Sequence, residues 1–86
     1  MNKYMVEISL SPIPMEKIRE LAGPEDAMVA EWKAQGLVEQ AYVRSDLSGA
    51  YIVMRGDNPE QVQERMSKLP MFPYMKQTAI EIKDMI

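Results

Sequence analysis

The sequence predicts an α+β domain in which a four-stranded antiparallel sheet carries two helices on one face. Three observations support this fold: apolar residues alternate near both ends of the chain, a helical apolar stripe follows the first strand, and a central hairpin precedes a capped helix. The element order β-α-β-β-α-β, joined by right-handed crossovers, gives the spatial strand order 4-1-3-2. The 86 residues are expected to form one domain, residues 1–86.

The first strand and helix are predicted from a change in apolar period. Residues 4–10 alternate between apolar and other side chains, as in a strand with one apolar face. Pro14 suits the first turn of a helix, and Gly36 suits its end. The apolar stripe of this helix has spacings of three, four and seven, and comprises Ile18, Leu21, Ala22, Met28, Val29 and Trp32. Gly23-Pro24 is expected to kink or split the helix.

The second half of the chain supplies the remaining elements. Residues 37–44 and 50–55 are expected to be strands joined by a turn at 46–49. Asn58 and Pro59 begin a helix that is expected to reach about Lys68. A last alternating strand follows from Thr78.

The second face of the sheet has nothing in the chain to cover it. This face is predicted to carry Glu7, Gln40 and Tyr42, whereas Ala41 and Val43 point toward the helices. Antiparallel sheets often leave such a face in water. However, a chain of this length buries only about 60–65% of its unfolded surface. We therefore expect a homodimer, or an assembly of dimers, formed through this face.

Composition excludes several function classes. A net charge of −3 and a pI near 4.9 disfavour nucleic acid as a partner. No apolar run spans a membrane, and the early charges Lys3 and Glu7 do not suit a signal peptide, so we expect a cytoplasmic protein without membrane contact. The chain has no cysteine and no histidine. We therefore expect no metal and no cofactor, and any acid–base chemistry must use Asp, Glu, Lys, Tyr or water.

Glu25 is the candidate general base. It lies seven residues after Ile18 and seven before Trp32, on the apolar stripe of the first helix. Desolvation there would raise the pKa of its carboxyl group, as general base catalysis near neutral pH requires. The alternative is that Pro24 begins a new helix, whose dipole would lower the pKa of Glu25. The sequence leaves both possibilities open.

Arg44 is the candidate anchor for a substrate carboxylate. It follows the second strand beside a turn, where a guanidinium group can form a bidentate pair, although arginines there are also common as solvated surface charges. Aromatic side chains could form the wall of a substrate pocket, or could equally be core or interface residues. The candidates for this wall are Trp32, Tyr42, Tyr51, Phe72 and Tyr74.

Residues 69–75 read Leu-Pro-Met-Phe-Pro-Tyr-Met, an apolar segment that contains two prolines. The prolines exclude a regular α-helix and reduce the entropy lost on ordering, so we expect an ordered segment with Phe72 largely buried. The segment closely resembles the Leu-Pro-Leu-Phe-Pro-Tyr-Met signature of muconolactone isomerases. The resemblance covers the element order and length of nearly the whole chain. It implies a ferredoxin-like fold of the dimeric α+β barrel superfamily.

The resemblance also implies a function. In that family a base removes a proton beside the carbonyl of an unsaturated lactone that bears a carboxylate, and the proton returns elsewhere. Glu25 lines up with a family glutamate. Val38, Gln40 and Tyr42 stand where Trp, His and Trp would be expected, and Arg44 is displaced by one position.

Two hypotheses follow from the residues and the resemblance together. The first is an isomerase-like enzyme that acts by proton transfer on a small unsaturated lactone or carboxylate, with Glu25 as base and Arg44 as anchor. The second is a non-catalytic protein of the same fold, which binds a small ligand or serves as an accessory oligomer. The absent histidine and the altered second strand favour the second hypothesis. The absent histidine also weakens a haem-handling role.

Overall fold

The computed structural model describes residues 1–86 and has the predicted element order. The strands are β1 (Asn2–Leu10), β2 (Val38–Val43), β3 (Gly49–Gly56) and β4 (Met75–Ile82), and the helices are α1 (Met15–Ala34) and α2 (Pro59–Met66). All neighbouring strands are antiparallel, and the sheet order is β2-β3-β1-β4. The ferredoxin-like topology predicted from the sequence is therefore confirmed.

The core lies between the helices and one face of the sheet. Tyr4, Val6 and Ile8 of β1 are buried, as their alternation predicts. They meet side chains of α2, of which Val62 and Met66 are fully buried. Burial of each large apolar side chain contributes about 1.5–3 kcal/mol. The predicted N-cap of α2 is confirmed, because its side chain accepts a hydrogen bond from the backbone N–H of Gln61 at 2.8 Å.

Helix α1 is continuous through Pro24, so the predicted split at Gly23-Pro24 is wrong. Proline removes one intrahelical hydrogen bond, the bond to the carbonyl group of Glu20. Glu20 is exposed, and water can bind that carbonyl group instead. Trp32 is the one buried residue of α1, and the rest of its apolar stripe is only partly covered. The greater part of α1 is therefore not closely packed on the sheet.

Strand β2 contains a bulge that the sequence pattern does not reveal. Val38 pairs with Met54 on the helix side of the sheet, whereas Gln40 already pairs with Val53 on the other side. One extra residue, Glu39, lies between them. Beyond the bulge Tyr42 points away from the helices, as the sequence predicts.

The face of the sheet opposite the helices is more apolar than the sequence suggests. We call it the open face, and its central residues are Met5, Glu7, Gln40, Tyr42, Tyr51, Val53, Thr78, Ile80 and Ile82. In β4 it is Ala79 that shares the helix side with Val6, so the two isoleucines of this strand lie on the open face. Ile80 is 45% exposed and Tyr42 is 57% exposed.

Neither helix has the length and apolar character that crossing a membrane requires.

Residues 69–75 form a compact connection to β4. Leu69 is buried. Phe72–Tyr74 make one turn of 3-10 helix, and the missing backbone N–H of Pro73 costs this turn no hydrogen bond. The carbonyl group of Tyr74 accepts a hydrogen bond from Ser11 N–H at 2.8 Å, which ties the segment to the end of β1. Phe72 packs against the core but is only partly buried, less than predicted.

Replacing Phe72 by alanine should therefore destabilise the protein by about 1–2 kcal/mol, less than for a fully buried ring. Urea unfolding followed by Trp32 fluorescence measures this change. Met85→Ala is the control, since Met85 is 96% exposed, and its effect should stay within about 0.5 kcal/mol. Equal stabilities of the two variants would contradict the packing role of Phe72.

Candidate functional site

A cavity of about 650 Å³ lies between α1 and the helix side of the sheet. Fourteen of its 20 lining residues are hydrophobic, which gives it the size and character of a small-molecule site. Helix α1 contributes Ile18, Ala22 and Val29, and the sheet contributes Ile8, Ile52 and Met75. The segment after β1 and the β2–β3 loop complete the wall.

The cavity exists because short side chains face each other across it. On the helix side of the sheet, Ala41 of β2 pairs with Ile52 and Ala50 of β3 pairs with Val43, and Ala22 lies on the facing helix. Near the end of α1, the larger side chain of Trp32 keeps the helix at a distance from the sheet. Alanine side chains are too short to fill that distance, so space remains between them. The same residues that weaken the core here create the space for a ligand.

Glu25 brings a half-buried carboxyl group to the cavity wall. Its Oε1 accepts a hydrogen bond from the backbone N–H of Met71 at 2.9 Å, across 46 residues of sequence. Desolvation by burial raises the pKa of this carboxyl group, the Met71 hydrogen bond lowers it, and the charge of Asp26 raises it. The net pKa is raised above the ordinary value of 4.5. Because α1 begins at Met15, Glu25 does not occupy a first helical turn, and the alternative of a pKa lowered by the helix dipole does not apply.

Arg44 is not brought to Glu25. Its Nε donates to the hydroxyl group of Tyr51 at 3.1 Å, and its Cζ lies 5.2 Å from the centre of that ring. Tyr51 lies on the open face, so the guanidinium group stacks there rather than in the cavity. Alternation along β2 explains this position, since residue 44 follows Val43, which points to the helix side. The structure therefore corrects the expectation that Glu25 and Arg44 lie together in one pocket.

Most of the aromatic residues predicted to form the pocket wall do not line the cavity. Tyr42 alone among those candidates borders the cavity, although its side chain lies on the open face. Trp32 is only 8% exposed and belongs to the core, and Tyr51 lies on the open face. Phe72 and Tyr74 belong to the 3-10 turn outside the lining, where Phe72 packs against the core.

The β2–β3 loop supplies lining residues that the sequence did not single out. Leu47 lies at the cavity with a backbone φ of 63°, a left-handed conformation that costs a non-glycine residue about 1–2 kcal/mol. Two hydrogen bonds hold the loop in this shape: Leu47 N–H donates to Arg44 O at 2.8 Å, and Ser48 N–H donates to Asp46 Oδ1 at 2.9 Å. The sequence did contain a signal for this lining residue, because Leu47 is an apolar residue within the turn at 46–49.

Two hydroxyl groups add hydrogen-bonding capacity to this apolar wall. Ser11 follows β1, and Ser48 precedes β3, and both line the cavity. The Ser48 Oγ accepts a weak hydrogen bond from Arg44 Nη1 at 3.4 Å, and the Ser48 hydroxyl group in turn hydrogen-bonds the Asp46 carboxylate, which lowers the pKa of Asp46. No group of three or more Asp and Glu side chains is placed to hold a metal ion.

Comparison with known proteins agrees with the fold and the resemblance. A family model described as muconolactone delta-isomerase matches residues 3–84. A crystal structure of muconolactone isomerase superposes with a TM-score of 0.79 at 19% sequence identity, and the match covers 95% of this chain and 88% of that chain. At this identity the structural likeness establishes the fold alone. No curated protein matches the chain.

The raised pKa of Glu25 predicts a specific dependence of stability on pH. Since folding favours the protonated carboxyl group, its stabilising contribution is complete below the unfolded pKa near 4.5 and is lost as the pH rises through the folded pKa. The amide of Glu25→Gln does not ionise. The stability of this variant relative to wild type should therefore be greater at about pH 7 than at about pH 4.

Urea unfolding of both proteins at the two pH values measures this difference. Glu31→Gln, at an exposed position of the same helix, corrects for exchanging a carboxylate for an amide. A relative stability of Glu25→Gln that instead falls between about pH 4 and about pH 7 would contradict a desolvated carboxyl group.

Proposed function

The chain belongs to the muconolactone delta-isomerase family, and on that premise we propose that it shifts a double bond in a small unsaturated lactone by proton transfer. The observation that carries this proposal is the half-buried carboxyl group of Glu25, which has a raised pKa and borders a cavity with mostly apolar walls. A base with these properties suits removal of a weakly acidic proton beside a carbonyl group.

The proposed reaction needs one base and no redox partner. The Glu25 carboxylate takes the proton from the carbon beside the lactone carbonyl, and the electrons of the broken C–H bond enter a dienolate. The protonated Glu25 then returns the proton to a different carbon of the conjugated system, so the product is an isomer of the substrate. The Met71 N–H holds Oε1, and no protein hydrogen bond occupies Oε2, which is therefore free to carry the proton.

The surroundings of Glu25 support its use in both steps. Lysine and tyrosine would need a pKa lowered by several units to act as bases near pH 7, and no lysine lines the cavity. The hydroxyl group of Ser11 is a donor that can stabilise negative charge on the dienolate oxygen.

A second candidate function is non-catalytic binding of a small apolar ligand. The position of Arg44 favours it, because the guanidinium group expected to anchor a substrate carboxylate lies on the open face. Under this alternative the cavity retains its ligand, and Glu25 serves to tie α1 to residues 69–75. Turnover measurements separate the two candidates.

We also propose that the chain forms a homodimer through the open face, in which the sheet of a second copy packs against Glu7, Gln40 and Tyr42. The exposed side chain of Ile80 at this face supports the proposal, since apolar surface on the face of a sheet is costly to leave in water. Two packed sheets would form a dimeric α+β barrel of the kind that the family resemblance implies.

Introducing a charge into the apolar part of the open face should dissociate this dimer. We expect wild type to be dimeric at micromolar concentration by light scattering, and Ile80→Glu to be monomeric, since two desolvated carboxylates would enter the interface. Met15→Glu is the control, because Met15 is 63% exposed at the start of α1, away from the open face. A monomeric wild type, or equal dissociation of the two variants, would contradict the proposal.

Replacing Glu25 by glutamine should lower turnover of an unsaturated lactone by about 10²–10⁴-fold, because the amide preserves shape but cannot accept the proton. Isomerisation is followed by ultraviolet absorbance, and circular dichroism establishes that the variant is folded. Glu31→Gln should retain wild-type turnover, since its side chain is exposed and bonds only with Gln35. Unchanged turnover in Glu25→Gln would exclude Glu25 as the base, and binding without turnover in wild type would favour the second candidate.

A further inference from the structure

The charged side chains at the cavity wall are both acidic. Glu25 and Asp26 are adjacent on α1, and both line the cavity. Their charges interact, since Asp26 contributes to the raised pKa of Glu25. When Glu25 is ionised, as its role as a base requires, the wall therefore carries negative charge from two carboxylates.

The cationic side chains of the chain lie elsewhere. The sequence contains ten lysines and arginines, and none of them lines the cavity. Arg44, the cation adjoining the β2–β3 loop, stacks on the Tyr51 ring on the open face, and its contact with the lining is the bond from Nη1 to Ser48 Oγ at 3.4 Å. Lys3 pairs with Glu39 at 3.1 Å and with Asp84 at 2.8 Å. An anion bound beside Glu25 and Asp26 would thus lose hydration without gaining a cationic partner from the lining.

The remaining polar groups of the wall suit an uncharged oxygen. Ser11 offers a hydroxyl donor, which can bind a carbonyl oxygen without requiring that the ligand carry charge, whereas the Ser48 hydroxyl group already bonds the Asp46 carboxylate. The rest of the lining is mainly aliphatic and matches the hydrocarbon part of a small ring.

We infer that the cavity selects an uncharged carbonyl compound, such as a neutral unsaturated lactone or ester, and rejects the corresponding carboxylate. This inference rests on the proposed function insofar as Glu25 must be ionised to act. It departs from the substrate type that the family resemblance implies, since that lactone bears a carboxylate. Asp26 sets this selectivity together with Glu25. Its side chain adds negative charge to the cavity wall but takes no part in proton transfer.

A matched pair of probes tests the inference directly. The probes are an unsaturated five-membered lactone with an acetic acid arm and the methyl ester of the same compound, which differ chiefly in charge. Calorimetric titration of the full chain at about pH 7 should give a dissociation constant for the ester at least about tenfold below that for the acid. An acid that binds as tightly as the ester, or an ester that does not bind, would overturn the inference.

Variants identify the origin of the selectivity. Asp26→Asn should narrow the ratio of the two dissociation constants by strengthening binding of the acid, since one negative charge leaves the wall. Glu31→Gln removes a charge from an exposed position of the same helix and should leave the ratio unchanged. An unchanged ratio in Asp26→Asn would contradict the assignment of selectivity to the wall carboxylates.

Turnover measured in the same samples separates this inference from the proposed function. An ester that binds but does not isomerise would support the charge selectivity and contradict the isomerase. An acid that isomerises and binds more tightly than the ester would do the reverse.

Discussion

The hydrogen bond from the Met71 N–H to the Glu25 carboxylate is the contact on which the site depends. Helix α1 buries only Trp32, near its C-terminal end, so its central part needs another attachment. That attachment is to the segment that leads into β4, which is itself held by the buried Leu69 and by the bond between Ser11 and Tyr74. One contact thus fixes the Glu25 carboxyl group, bounds the cavity and joins the two halves of the chain.

Two opposing influences act on the pKa of Glu25, and the hydrogen bond from Met71 is one of them. Donation from Met71 favours the ionised carboxylate, whereas desolvation favours the protonated form, and desolvation is the larger influence. A fully exposed glutamate would be too weak a base, and a fully buried one would stay protonated near pH 7. Half-burial beside an apolar cavity lies between these limits. The cavity that provides this environment also deprives α1 of close packing, so the fold gives up stability at the place where it leaves space for a ligand.

Local patterns in the sequence predicted much of the fold. The alternation of Tyr4, Val6 and Ile8 and the spacing of the α1 stripe reflect burial on one face, which repeats within a few residues. The same stripe correctly placed Glu25 toward the interior. The split at Pro24 was wrong because a long helix tolerates the loss of one exposed hydrogen bond. The arrangement of the site was less predictable: the Glu25–Met71 contact spans 46 residues, and the side of the sheet that Arg44 occupies depends on pairing in three dimensions.

A nuclear magnetic resonance titration of Glu25 and Met71 together tests the central claim most directly. The carbon signal of the Glu25 carboxyl group and the amide proton signal of Met71 should titrate with one shared midpoint, above the ordinary value of 4.5, because both report the same ionisation. Glu25→Gln should abolish the pH dependence of the Met71 signal. A Glu25 midpoint at or below 4.5, or a Met71 amide that does not follow it, would contradict the account.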